Sequence, residues 1–195
     1  MDDKKSLKKL FVAIDVPFDV LQEMERLQQV FKQQHCMHAT YPLSEHMHIT
    51  LAFIGSVNNA QIPKIDAILQ GIRFPAFKVL LGQLNFFGSP EFIKVIYAAL
   101  YSPELIKLGM LVQHDLIAVQ ILPESKEDDS FIPHLTLARV KSVLDKEQLV
   151  KMINTIQPKP IPFLIDEFFL KESVHENGLL NHKTICTYKL PKTHI

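Results

Sequence analysis

The chain has 195 residues, of which 47% are hydrophobic and 22% are charged, a composition typical of a globular protein with a sizeable core. Its 21 basic residues balance 21 acidic ones, which argues against a protein that holds long nucleic acid through many phosphates. No apolar run is long enough to cross a bilayer, and Asp15 interrupts the apolar start too early for a secretion signal. The two cysteines, Cys36 and Cys186, are expected to be free thiols in a cytoplasmic protein.

The first half of the chain is predicted to alternate between strands and helices. In chain order, the pattern of apolar residues predicts a strand at 9–16, a helix from Pro17 to about Gln34, a strand at 48–55, a helix at 62–72 and strands at 77–88 and 92–100. The strands are predicted from their β-branched and aromatic residues, and the helices are predicted from apolar positions three and four residues apart.

The second half repeats this mixed order. It predicts a helix after Pro103, a solvated acidic loop at 124–130, a strand at 134–140, a helix begun by Asp145 with Gln148 in a capping box, and strands at 163–174 and 183–190 around a turn at Asn177-Gly178. No linker rich in Pro, Gly or Ser separates the halves. Residues 1–195 are therefore expected to form a single domain of two pseudo-symmetric lobes.

A histidine pentapeptide occurs once in each half. Residues 48–52 read HITLA, and residues 134–138 read HLTLA. Alternate residues of a strand share a face, so each histidine projects with the threonine two positions later, while the apolar residues between them enter the core. If the halves face each other, two imidazoles and two hydroxyls meet in one cleft.

This quartet suits phosphodiester chemistry without a metal or other cofactor. A neutral imidazole accepts a proton from the attacking water, and a protonated imidazole gives one to the leaving oxygen. Hydroxyl groups donate hydrogen bonds to the phosphate oxygens. Two more His-x-Thr tripeptides begin at His38 and His182, but both are expected to be decoys because neither has the apolar strand context.

Three stretches resemble one family. "KLFVAIDVP", "HMHITLAFIG" and "SFIPHLTLAR", which lie between residue 9 and about residue 141, are similar to the 2H phosphoesterase superfamily, and most of all to its RNA 2′,3′-cyclic phosphodiesterases, also called 2′-5′ RNA ligases. The resemblance implies a bilobal α+β fold, with two antiparallel-rich sheets facing a central cleft and helices outside. It also implies hydrolysis of RNA 2′,3′-cyclic phosphate ends to 2′-phosphate, alongside 2′-5′ RNA ligase activity.

The resemblance also implies roles for particular residues. His48 is expected to be the proton donor and His134 the proton acceptor, while Thr50, Thr136 and Arg139 bind the phosphate. Simple strand alternation turns Arg139 away from His134, five residues before it, so a bulge or twist is needed to bring both into the cleft.

Aromatic residues near the motifs are candidates for stacking on a nucleobase. Phe11, Phe53 and Phe131 are the three candidates, although the chain has 13 phenylalanines and a phenylalanine belongs to the core more often than to a stacking site.

Other functions remain open. The enzyme alternative is a cyclic phosphodiesterase acting on a small nucleotide or an ADP-ribose cyclic phosphate, and the binding alternative is a non-catalytic module for RNA ends. A metal site could draw on ligands from the stretch 35–48, although their spacing fits no zinc pattern. RNA ends or small cyclic-phosphate nucleotides are thus the expected partners, with no membrane and no obligate protein partner.

Overall fold

The computed structural model describes residues 7–123, 131–176 and 179–192. The loop expected at 124–130 and the turn expected at 177–178 lie outside these described residues. Within them the elements are Lys8–Asp15 (β1), Phe18–Gln33 (α1), Met37–Thr40 (β2), His48–Val57 (β3), Ile62–Gly71 (α2), Phe77–Ser89 (β4), Phe92–Tyr101 (β5), Pro103–Ala118 (α3), His134–Val143 (β6), Lys146–Thr155 (α4), Pro162–Ile165 (β7), Glu167–Glu176 (β8) and Leu179–Lys189 (β9).

The strands form two antiparallel sheets. One has the order β3-β1-β8-β9, and the other has the order β2-β6-β5-β4-β7. The two motif strands therefore belong to different sheets: β3 is an edge strand of the first, and β6 lies inside the second. The α+β fold with two antiparallel sheets is confirmed.

Three elements differ from the sequence prediction. β2 was not expected, because four residues are too short to show a period. The strand predicted at 163–174 is divided at Asp166, because β7 pairs with β4 in one sheet while β8 pairs with β1 in the other. β9 begins at Leu179, four residues before the expected start, since Leu179 already pairs with Glu176.

The starts of α3 and α4 follow ordinary capping chemistry. Ser102 accepts a hydrogen bond from the Leu105 N–H at the start of α3, where Pro103 occupies the first turn. Asp145 caps α4 by accepting from the Gln148 N–H at 2.9 Å. The Gln148 side chain donates to Gln34 rather than back to the cap, so only half of the predicted capping box is made.

The apolar residues of the motif strands lie in the core, as predicted. Ile49, Leu51, Leu135 and Leu137 are at most 1% exposed. Their burial anchors both strands, which leaves the alternate positions free to face a cleft. None of the helices within the described ranges is long and apolar enough to span a bilayer.

Candidate active site

The two His-x-Thr strands face a single cavity between the sheets, hereafter the cleft. It has a volume of about 550 Å³. His48 and Thr50 reach it from β3, and His134, Thr136 and Arg139 reach it from β6. All five residues expected at the site thus line the same space, although they come from two sheets and from sequence positions up to 91 residues apart.

The two imidazoles are held by the same backbone contact. Nδ1 of His48 lies 2.8 Å from the carbonyl oxygen of His46, and Nδ1 of His134 lies 2.8 Å from the carbonyl oxygen of Ile132. A carbonyl oxygen can only accept, so each Nδ1 carries the hydrogen and donates it. In the neutral ring this leaves the Nε2 lone pair available to take a proton.

Aromatic rings pack against each imidazole. The His48 ring centroid lies 4.9 Å from that of Phe11. The His134 ring meets Phe87 edge-on at 4.9 Å and Tyr97 at 5.4 Å. These contacts limit the rotation of both imidazoles, so that the free nitrogens keep a defined direction.

Burial makes both imidazoles harder to protonate than a histidine in water. It lowers the pKa of His48 from 6.5 to about 4, an effect that the His46 carbonyl opposes and that the nearby His182 and Lys171 reinforce. Burial also lowers the pKa of His134, and the positive charge of Arg139 adds to this. At neutral pH, both histidines of the free cleft are therefore mainly uncharged.

A β-bulge brings Arg139 into the cleft. On β6, Thr136 faces Tyr97 and Ala138 faces Ile96, so Leu137 is an extra residue without a partner on β5. Such a bulge reverses the alternation of the residues beyond it. Leu137 and Ala138 are consecutively buried and Arg139 is exposed, so the arginine shares a face with the residues before the bulge. Strand alternation in the sequence indicates that such an irregularity is needed but does not show where it occurs.

The first motif strand carries the same bulge. Thr50 faces Ala13 and Ala52 faces Val12, which leaves Leu51 as the extra residue. Leu51 and Ala52 are both buried, and Phe53 returns to the cleft with 69% of its surface exposed. The final Leu-Ala of each pentapeptide is therefore the bulge itself, and Phe53 is the counterpart of Arg139 in the other strand.

The other two aromatic candidates, Phe11 and Phe131, have different surroundings. Phe11 is only 3% exposed, because its ring lies beneath the imidazoles of His48 and His182. Phe131 is half-buried and packs against the backbone of Gly109, where an added Cβ would lie 2.3 Å from the ring. Of the three candidates, Phe53 offers the largest free ring face, and the stacking role of each stays a prediction.

Comparison with known proteins identifies the family. The sequence profile of the LigT like phosphoesterases matches residues 14–97. An RNA 2′,3′-cyclic phosphodiesterase of Aeropyrum pernix is 34% identical over 148 residues, which cover 74% of this chain and 82% of the relative. The chain belongs to this phosphoesterase family. A Thermotoga maritima relative with the same enzyme name is 30% identical to this phosphoesterase over 85% of the chain and 86% of the relative.

Solved structures confirm the fold of this phosphoesterase. Escherichia coli LigT complexed with NADP+ superimposes with a TM-score of 0.74 at 18% identity, over 95% of this chain and 99% of LigT. A Thermus thermophilus protein gives a TM-score of 0.76 at 17% identity, over 95% of this chain and the whole of that protein. Identities this low extend the likeness to the fold alone.

His182, which was expected to be a decoy, lies at the site. His182 is on β9 rather than outside a strand, and it lines the cleft of this phosphoesterase. Its ring meets His48 edge-on at 5.1 Å and His46 at 5.4 Å. The earlier start of β9 was the missing signal, since it carries His182 into the pairing with Ser173. His38 is also on a strand, β2, but it is exposed and does not line the cleft.

The side chains considered as metal ligands do not converge. Cys36 is buried against the sulfur of Met152, whereas His38 is exposed on the edge strand β2. Of the histidines in 35–48, only His46 and His48 line the cleft. Across the described ranges, no three side chains of His, Cys, Asp or Glu are close enough together to hold a metal ion.

Proposed function

We propose that the protein hydrolyses RNA ends that carry a 2′,3′-cyclic phosphate, leaving a 2′-phosphate and a free 3′-hydroxyl. The observation that carries this proposal is the pair of His-x-Thr strands from different sheets facing one cleft. Relatives that are 30% and 34% identical, and are themselves named RNA 2′,3′-cyclic phosphodiesterases, support the same reaction.

In the proposed reaction the two histidines act from opposite sides of the phosphorus. Nε2 of His134 takes a proton from a water molecule as its oxygen bonds to phosphorus, and the bond from phosphorus to the 3′ oxygen breaks. Protonated His48 gives its proton to the departing 3′ oxygen. The water is thus divided between the new 2′-phosphate and the new 3′-hydroxyl, and one later proton transfer between the histidines restores the starting state.

The remaining cleft residues act on charge at the phosphate. Thr50 and Thr136 donate hydrogen bonds to the non-bridging oxygens, and the Arg139 guanidinium stabilises their negative charge. Thr50→Ala or Thr136→Ala should raise the activation free energy by about 1.5–3 kcal/mol, the worth of one hydrogen bond to a charged group. Steady-state kcat/KM with a cyclic-phosphate RNA measures this, and a variant that kept full activity would remove that threonine from the mechanism.

Because the pKa of His48 is lowered, we propose that the substrate itself promotes protonation of this imidazole. With a pKa of about 4, His48 holds little of the proton that it must donate at neutral pH. The anionic phosphodiester favours the charged imidazole, so His48 takes up this proton from solution when the substrate binds. His134, whose pKa is also lowered, is then available as the neutral base.

The wider setting is part of the same proposal. The two sheets represent two pseudo-symmetric lobes of a single domain, 1–195, that acts in the cytoplasm on RNA ends or small cyclic-phosphate nucleotides. Free thiols at Cys36 and Cys186 support a reducing compartment.

A short RNA with a 2′,3′-cyclic phosphate end tests the activity directly. The expected product is the 2′-phosphate, formed by the wild type and by His38→Ala but hardly at all by His48→Ala or His134→Ala. A 3′-phosphate product, or equal turnover in all four proteins, would overturn the proposal. Binding without turnover would identify a binding module. A nucleoside 2′,3′-cyclic phosphate, an ADP-ribose cyclic phosphate and an RNA with a free 5′-hydroxyl, run in parallel, test the small-substrate and ligase alternatives.

A further inference from the structure

Each bulge in a motif strand is held by a glutamine. Nε2 of Gln113, on α3, donates to the carbonyl oxygen of Leu51 at 2.8 Å. Nε2 of Gln28, on α1, donates to the carbonyl oxygen of Leu137 at 3.1 Å and to that of Pro42 at 2.9 Å. Leu51 and Leu137 are the extra residues of the two bulges, so the same position of each pentapeptide receives the same kind of contact.

The two contacts are crossed between the halves of the chain. α1 belongs to the first half but holds the second motif, and α3 belongs to the second half but holds the first. Gln28 and Gln113 are 85 residues apart, nearly the 86-residue spacing of the pentapeptides. Each histidine strand is thus held by a helix from the opposite half.

An amide side chain is the right donor for such a carbonyl. A bulge takes backbone groups out of the ladder, and a buried carbonyl without a partner destabilises the conformation that exposes it. Gln28 is only 5% exposed, so water has little access to replace its amide. Loss of this donor favours a regular strand instead, and a regular strand turns the residue after Leu-Ala to the opposite face.

We propose that Gln28 and Gln113 are positioning residues, which hold the bulges that direct Arg139 and Phe53 into the cleft. Neither glutamine touches the substrate in this proposal. Gln28 acts through Arg139 and so affects the binding of phosphate, while Gln113 acts through Phe53 and so affects the part of the substrate next to it. The proposal rests on the proposed function only where turnover is measured.

The decisive measurement is a double-mutant cycle on the affinity for inorganic phosphate. Gln28→Met, Arg139→Ala and the double variant are compared by isothermal titration calorimetry. Each single change should weaken binding about 10-fold, the worth of one hydrogen bond to a charged group. The double variant should bind phosphate as weakly as Arg139→Ala alone, because without Arg139 there is no guanidinium left for Gln28 to position. Losses that multiply in the double variant would overturn the role of Gln28.

Matched variants separate positioning from general stability. Gln29→Met, on the exposed side of α1, should leave phosphate affinity and melting temperature unchanged. Any effect of Gln113→Met on phosphate affinity should multiply with that of Arg139→Ala, because Gln113 is proposed to position Phe53 and not Arg139. In turnover of a cyclic-phosphate RNA, Gln113→Met and Phe53→Ala should each raise KM with little change in kcat, and together should raise it no further. A Gln113 effect that coupled to Arg139 instead of Phe53 would contradict the crossed arrangement.

A second variant covers the case in which Gln28→Met does not fold. Gln28→Glu keeps the size of the side chain, and its protonated carboxyl can donate to the Leu137 carbonyl whereas its carboxylate cannot. Phosphate affinity relative to the wild type at the same pH should therefore recover as the pH falls, and no recovery would count against the proposal. If the wild type bound phosphate but hydrolysed no cyclic-phosphate RNA, the proposed function would fail while the phosphate cycle still decided the positioning role.

Discussion

Burial of the His48 imidazole should make the folded protein less stable in mild acid. Its pKa is about 4 in the folded protein, against an ordinary value of 6.5. Between these values the unfolded chain carries a proton that the folded protein lacks, so the free energy of unfolding falls as the pH falls. The slope is about 1.4 kcal/mol per pH unit for one histidine, which amounts to about 2 kcal/mol between pH 7 and pH 5.

Urea denaturation of the wild type and His48→Asn at pH 7, 6 and 5 measures this contribution. The asparagine amide can donate to the His46 carbonyl as Nδ1 of the imidazole does, but it does not titrate. From pH 7 to pH 5, the wild type should lose about 2 kcal/mol more unfolding free energy than His48→Asn. His38→Asn, at an exposed position, should follow the wild type. Equal losses in the wild type and His48→Asn would refute the assignment of a buried, neutral His48.

Three further predictions concern turnover. His48→Ala and His134→Ala should each lower kcat by about 10²–10⁴, and the double variant should lose little more because both act on one transition state; losses that multiply would contradict a shared step. Since the pKa values of His48 and His134 are both below 6.5, kcat/KM should peak below pH 6.5. The optimum of kcat should lie at higher pH, because the bound anion favours imidazolium. A kcat/KM optimum above pH 7 would rule out the lowered pKa values. His182→Ala should lower turnover about 10-fold through lost support of His48, whereas His38→Ala should leave it unchanged; wild-type turnover in both variants would make both histidines decoys.

The local pattern of the sequence was sufficient for most of the elements and for the main cleft residues. Strand alternation placed His48 with Thr50 and His134 with Thr136, because side-chain direction in a regular stretch of strand alternates whichever strand it pairs with. The same rule failed at Arg139, where the extra residue Leu137 reverses the alternation. A bulge depends on which partner strand the chain meets, and a single strand's sequence does not contain that information.

The sequence by itself determined that the chain has two matched His-x-Thr strands, each with an apolar face on its other side. Its resemblance to a family indicated their chemistry. Only the tertiary structure decided which other side chains join them. His182 reaches His48, although β9 and β3 are opposite edge strands of their sheet, because both imidazoles pack on Phe11 of the intervening strand β1. Gln28 reaches Leu137 across 109 positions of sequence. The lowered pKa of His48 likewise arises from burial by residues from several elements. Long-range contacts of this kind depend on how the sheets and helices pack, and hydrophobic periodicity reports only the face that each element buries.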